Sequence, residues 1–134
     1  MKTTTAVVVE QAKIDFVEQE IKPLGEHEML IRMDAVGLCH SDVPKYLGTS
    51  DVDFNADGYR YVKSVSYPCA IGHEPTATVL ETGKAVKRFT PGDRITGFIS
   101  AAFTTHMVIS DSAVFTRVLE SNHDPLTCVG EPLG

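Results

Sequence analysis

The chain has 134 residues, 43% hydrophobic and 22% charged, which fits one ordinary globular domain large enough for its own core. Its formal net charge is -6, from 18 acidic against 12 basic residues, and no lysine or arginine run is present. That balance makes nucleic acid and anionic membrane poor partners.

No stretch of eighteen uninterrupted apolar residues occurs, and Met1-Lys2-Thr3-Thr4-Thr5 leads into a strand-like run instead of a long apolar signal core. The 3 cysteines, Cys39, Cys69 and Cys128, cannot all pair within the chain. A reducing, cytoplasmic setting with metal-binding or inert thiols is the expectation.

In chain order, Ala6 to Val9 and Ile14 to Ile21 read as strands joined by a turn around Gln11 to Lys13. Glu28 to Val36 alternates well, with Met29, Ile31, Met33 and Ala35 on one face and Arg32 and Asp34 on the other. It ends at Gly37 and carries Cys39 to its far end. A short helix is expected from Ser41 to Leu47, capped by Ser41 or Asp42, with Pro44 in its first turn and Gly48 closing it.

Thr49 to Tyr67 is polar and irregular, a long excursion rich in aspartate with tyrosines interleaved. Its acidic part does not meet the calcium-loop pattern, since a start at Asp51 puts Ala56 at the sixth position and Val62 at the twelfth. Strand character returns from Cys69 to Gly83, in Arg94 to Ile99 after the Pro91-Gly92 turn, in Phe103 to Ile109 and in Ala113 to Val118. Near Asp124-Pro125 the pattern turns to a helical start. Numerous short strands at regular spacing suggest a Greek-key or partly open barrel, and Phe98, Phe103 and Phe115 are expected in its core.

Three side chains draw chemical interest. Cys39 offers a thiolate, His73 an imidazole nitrogen and Glu74 a carboxylate, the donor types that zinc takes. Cys39 would also lie beside a helix N-terminus, whose dipole favours a thiolate. The plainer reading makes Cys39 a small buried hydrophobe and His73 a hydrogen-bonded structural residue.

Four motifs weigh in favour of the metal. Gly37-Leu38-Cys39-His40-Ser41-Asp42, Gly72-His73-Glu74, Pro91-Gly92-Asp93-Arg94-Ile95 and Glu131-Pro132-Leu133 occur in that order. Together they resemble the GroES-like catalytic domain of the zinc-dependent medium-chain alcohol and polyol dehydrogenases. The resemblance implies a mainly β, partly open barrel with short helices and one catalytic zinc held by Cys39, His73 and a third residue. That third ligand falls at Glu131, with Cys128 competing for the role; Glu74 is a site residue that ligates directly or stands near the zinc. Ser41 matches a hydroxyl that contacts the substrate oxygen and begins a proton relay. Asp42 matches an acid that hydrogen-bonds the zinc histidine, and His40 occupies a position near the cofactor phosphates. For Ser41 and Asp42 helix capping, and for His40 a plain surface histidine, are the competing readings.

The resemblance further implies NAD or NADP as cofactor, a small alcohol or polyol as substrate and a homo-oligomeric full-length enzyme. No Gly-x-Gly-x-x-Gly is present, so residues 1–134 read as a catalytic domain cut from a longer dehydrogenase, inactive alone and with weakened zinc retention. Two departures from the family pattern stand out. Cys39 and His73 lie 34 positions apart, which makes 49–67 an insertion near the substrate entrance, and with 3 cysteines there is no four-cysteine lobe for a structural zinc. His27, His106 and His123 have no partner at ligand spacing and read as surface or core residues. A non-catalytic GroES-like assembly module is the competing function from another class; a zinc hydrolase, lacking His-Glu-x-x-His, is a third.

Overall fold

The structure, a computed structural model, describes residues 1–56, 58–113 and 117–119. Its elements in chain order are β1 (Lys2–Glu10), β2 (Lys13–Glu20), β3 (Glu28–Gly37), α1 (Asp42–Leu47), β4 (Asp51–Phe54), β5 (Arg60–Lys63), β6 (Cys69–Ala70), β7 (Glu74–Thr82), β8 (Arg94–Thr96), β9 (His106–Ser110) and β10 (Arg117–Leu119). The β-branched run after Lys2 forms β1, which turns at Gln11-Ala12 and pairs with β2 from Lys2↔Glu20 to Glu10↔Lys13.

Two antiparallel sheets carry the fold, a three-stranded one ordered β2-β1-β6 and a five-stranded one ordered β10-β8-β7-β3-β9. The segment before β9 joins them. Ala6 N–H donates to the Phe103 carbonyl at 2.8 Å, Thr105 N–H to the Thr4 carbonyl at 2.9 Å and Met33 N–H to the Thr105 carbonyl at 3.0 Å. One stretch of chain thus touches β1 on one side and β3 on the other, and the sheets curl into a mainly β, partly open barrel.

The alternation read in β3 sets the core. Met29 and Ile31 point inward with Ala77 and Val79 of β7 and Ile95 of β8, and Phe89 and Ile99 close the cluster. Arg32 on the opposite face is exposed. Pairing of β3 with β7 is interrupted between Leu30 and Ile31 and again between Met33 and Ala35. Such bulges bend a strand and sharpen its twist. Beyond them the register ends on Gly37 opposite Glu74.

Three expectations change. Within Thr49 to Tyr67, β4 and β5 form a hairpin with Asp51 opposite Lys63 and Phe54 opposite Arg60. Its turn is stabilised by the Asn55 side chain, which accepts the Tyr59 N–H at 2.8 Å, and by Gly58 at φ 81°. Asp51 and Asp53, which suggested a loop, occupy alternate positions of β4. Phe98 is not core: the residue is 44% exposed, lying past the end of β8 at Thr96. The expected strand from Phe103 is shorter and begins at His106. Phe115 and the helical start at Asp124-Pro125 lie outside the described residues.

His106, opposite Arg32 in the β3–β9 pairing, has its Nδ1 sealed from solvent without a partner among the described residues. Burial, with the Arg32 charge adding to it, pushes its pKa below the ordinary histidine value. The folded imidazole is therefore neutral where the unfolded chain, protonating near pH ~6.5, already binds a proton. Stability is full above that pH and is lost as pH falls through the folded pKa. Urea midpoints at successively lower pH should fall for the wild type and fall less for His106→Gln; parallel pH profiles for the two proteins would refute this.

Candidate metal centre

The β3–β7 pairing decides where the site forms. With Gly37 opposite Glu74, the chain leaving β3 and the chain entering β7 run side by side, so Cys39 arrives next to His73. A Cβ on Gly37 would lie 2.5 Å from Glu74 Oε2, so with the carboxylate where it stands the position takes only hydrogen. Gly72 is held at φ 86°, a left-handed conformation, and a Cβ on it would meet the Phe103 ring at 2.5 Å. Both glycines make space for the site.

α1 follows at once. Ser41 stands at its N-cap with helical dihedrals and makes no side-chain capping bond. Asp42 takes the tying role instead: Oδ2 accepts the Cys39 N–H at 3.2 Å, and Oδ1 accepts the Gly72 N–H at 3.0 Å. Its carboxylate is almost wholly buried, with the residue 2% exposed. Gly48 ends the helix in the left-handed conformation and donates its N–H to the Lys45 carbonyl.

One ligand atom each from Cys39, His73 and Glu74 falls within 4.8 Å of the others, and all three residues are half-buried. His73 Nε2 faces Glu74 Oε1 at 3.9 Å, and Nδ1 faces Asp42 Oδ1 at 3.7 Å. The ring of Phe98 lies 5.1 Å from that of His73, tilted by 41°. Tetrahedral zinc, with bonds of about 2.0–2.3 Å, holds its donors about 3.5 Å apart, so a closing movement of about 1 Å would bring this sulfur, nitrogen and oxygen set onto one ion. The donor set fits zinc.

Of the residues singled out in the sequence, Cys39, Asp42, His73 and Glu74 are brought together. Ser41 and His40 are exposed at the start of α1 beside them. Glu131, Cys128 and His123 lie outside the described residues. Cys69 sits in β6 apart from the cluster, its thiol pKa raised by burial. His27 is a surface residue with Nδ1 3.5 Å from Asp111 Oδ2. Sequence reasoning missed Phe98 as a neighbour of His73; Gly97 beside it, at φ 154°, is the one local sign of unusual backbone there.

Because the atom nearest a Cβ on Gly37 is the mobile end of Glu74, Gly37→Ala should fold and turn that carboxylate away from His73. Zinc affinity, measured by competition with a chromophoric chelator, should then fall by about 10-fold, the scale of disturbed ligand support. An unchanged affinity would mean that Glu74 does not hold the metal.

Residues 25–116 match the alcohol dehydrogenase GroES-like domain family. The chain is 30% identical over 95 residues to an uncharacterized zinc-type alcohol dehydrogenase-like protein of Escherichia coli K12, covering 71% of this chain and 25% of that protein. It is 35% identical over 91 residues to sorbitol dehydrogenase of Gallus gallus, covering 67% and 23%. It thus spans about a quarter of the length of these curated relatives. Among solved structures, an Escherichia coli oxidoreductase/dehydrogenase of unknown specificity superposes with a TM-score of 0.72 at 22% identity, over 94% of this chain and 42% of that one. The 2R,3R-butanediol dehydrogenase of Bacillus subtilis gives 0.68 at 19%, over 92% and 42%. At those identities the likeness is one of fold, and the sequence matches carry the assignment: the chain belongs to the alcohol dehydrogenase GroES-like domain family, as found in zinc-type medium-chain dehydrogenases.

Proposed function

We propose that this chain is the zinc-binding catalytic domain of a dehydrogenase that oxidises an alcohol or polyol to the carbonyl compound, or runs the reverse reaction, with NAD or NADP. The observation that carries the reading is the convergence of Cys39, His73 and Glu74 at the ends of two paired strands. A non-catalytic assembly module gives those three donors no role. The named sorbitol and butanediol dehydrogenases among the similar proteins support a small hydroxylated substrate.

Cys39 Sγ and His73 Nε2 would hold one catalytic zinc, with Glu131 as the third ligand implied by the family pattern. Glu74 is the carboxylate that stands within reach, as a ligand or as its replacement. Zinc at such a site supplies a Lewis acid that lowers the pKa of a bound hydroxyl toward neutrality. Net reaction takes a hydride from the alcohol carbon to the nicotinamide and releases one proton.

The chain's own residues serve that reaction. The exposed Ser41 hydroxyl accepts the substrate proton and passes it toward solvent. Asp42, anchored by two backbone N–H groups, faces the Nδ1 edge of His73 and favours the tautomer that leaves Nε2 free to ligate. His40, exposed on the same loop, is placed for a cofactor phosphate. In this reading residues 1–134 form one catalytic domain of a longer, homo-oligomeric enzyme whose nucleotide-binding part lies elsewhere, 49–67 is an insertion by the substrate entrance, and no structural zinc is bound.

Elemental analysis of protein supplied with zinc should give about one ion per chain. Cys39→Ala should lose it, and Glu74→Gln beside Glu131→Ala should identify the third ligand. Wild-type protein that takes up no zinc even with the ion in excess, or a Cys39→Ala variant that takes up as much as the wild type, would overturn the assignment.

A further inference from the structure

The His73 imidazole has to present Nε2 to an ion while little holds its ring. Among the described residues no group lies within hydrogen-bonding distance of either ring nitrogen: Asp42 Oδ1 is 3.7 Å from Nδ1 and Glu74 Oε1 is 3.9 Å from Nε2. The terminal torsion of histidine is broad, so neither contact fixes the ring plane. Phe98 does reach the ring, at 5.1 Å between centroids and a 41° tilt, within the range of attractive aromatic pairs.

The backbone beneath Phe98 is tied to the backbone of His73 itself. Ile99, buried next to Phe98, donates its N–H to the His73 carbonyl at 3.3 Å, and Ala102 N–H donates to the Gly72 carbonyl at 3.1 Å. The two aromatic side chains therefore keep a fixed separation at the chain level. Phe98 is nevertheless 44% exposed, so it does little for the core, and among the described residues its ring pairs with that of His73.

We propose that Phe98 is a positioning residue that fixes the ring plane of His73 and so sets the metal affinity of the site. The inference rests on the reading of Cys39 and His73 as metal ligands. It separates two functions within one short segment: Ile99 anchors the barrel wall, and Phe98 orients the ligand.

Cobalt(II) titration of the whole chain tests it, reading both affinity and the visible d–d and thiolate charge-transfer bands. Phe98→Ala should bind cobalt about 3- to 10-fold more weakly, the scale of one aromatic pair, with unchanged stoichiometry and shifted d–d bands. Phe98→Leu keeps apolar bulk and should also be weakened, whereas Phe98→Tyr should restore wild-type affinity and spectrum. Thermal unfolding of the metal-free proteins should be nearly the same for all four, which a purely structural role would not produce. Phe98→Ala and Phe98→Leu binding cobalt like the wild type, or weakening only in step with lost metal-free stability, would overturn the role of Phe98 alone. A wild-type chain that binds no cobalt would overturn the metal site and this inference together.

Discussion

The buried carboxylate of Asp42 is the interaction on which the site depends. It accepts one N–H from Cys39 and one from Gly72, so two stretches of chain 30 or more residues apart in sequence share one acceptor pair. Both bonds are shielded from water, and a hydrogen bond so shielded is electrostatically stronger than one at the surface. Losing the carboxylate would leave both amides without these acceptors, which costs about 1–3 kcal/mol for each group that stays buried. Cys39 and His73 would then lose their common reference point. The same side chain stands 3.7 Å from His73 Nδ1, so the group that ties the loops also faces the candidate histidine.

Around that tie, the site is shaped by space as much as by contact. Gly37 and Gly72 each leave a gap that a methyl group would close, one for the Glu74 carboxylate and one for the Phe103 ring. The β3–β7 pairing runs on to Gly37 opposite Glu74, and the candidate donors stand at or just beyond those strand ends, on a rigid support. Rigid support comes from the paired strands, and vacant volume from one glycine at the end of β3 and another two residues before β7.

Much of this was legible in the sequence because strand alternation is a local signal. Met29, Ile31 and Met33 announced β3, and Gly48 announced the end of α1, since the physics of each involves a few neighbouring residues. The candidate donors were legible as residue types, but their meeting depends on the Gly37↔Glu74 pairing, a contact between segments far apart in sequence that no local pattern announces. The β4–β5 hairpin was hidden by Asp51 and Asp53, which occupy alternate positions of β4 and look like loop composition. Phe98 was misplaced for a different reason. Hydrophobicity alone assigns a phenylalanine to the core, whereas Phe98 lies past the end of β8 at Thr96, beside the His73 ring.

The hairpin is fastened by Asp51, whose carboxylate meets Lys45 Nζ at 3.2 Å and Lys63 Nζ at 3.6 Å. Lys45 belongs to the last turn of α1, and Cys39 precedes its first. The six-residue helix therefore works as a spacer between two attachment points, with the donor loop at one end and the hairpin at the other. Lengthening the hairpin would add closure entropy only logarithmically, by about 0.6 kcal/mol per doubling, at the end of the helix away from Cys39. A barrel built this way can vary in one appendage while the Asp42 tie between Cys39 and Gly72 stays in place.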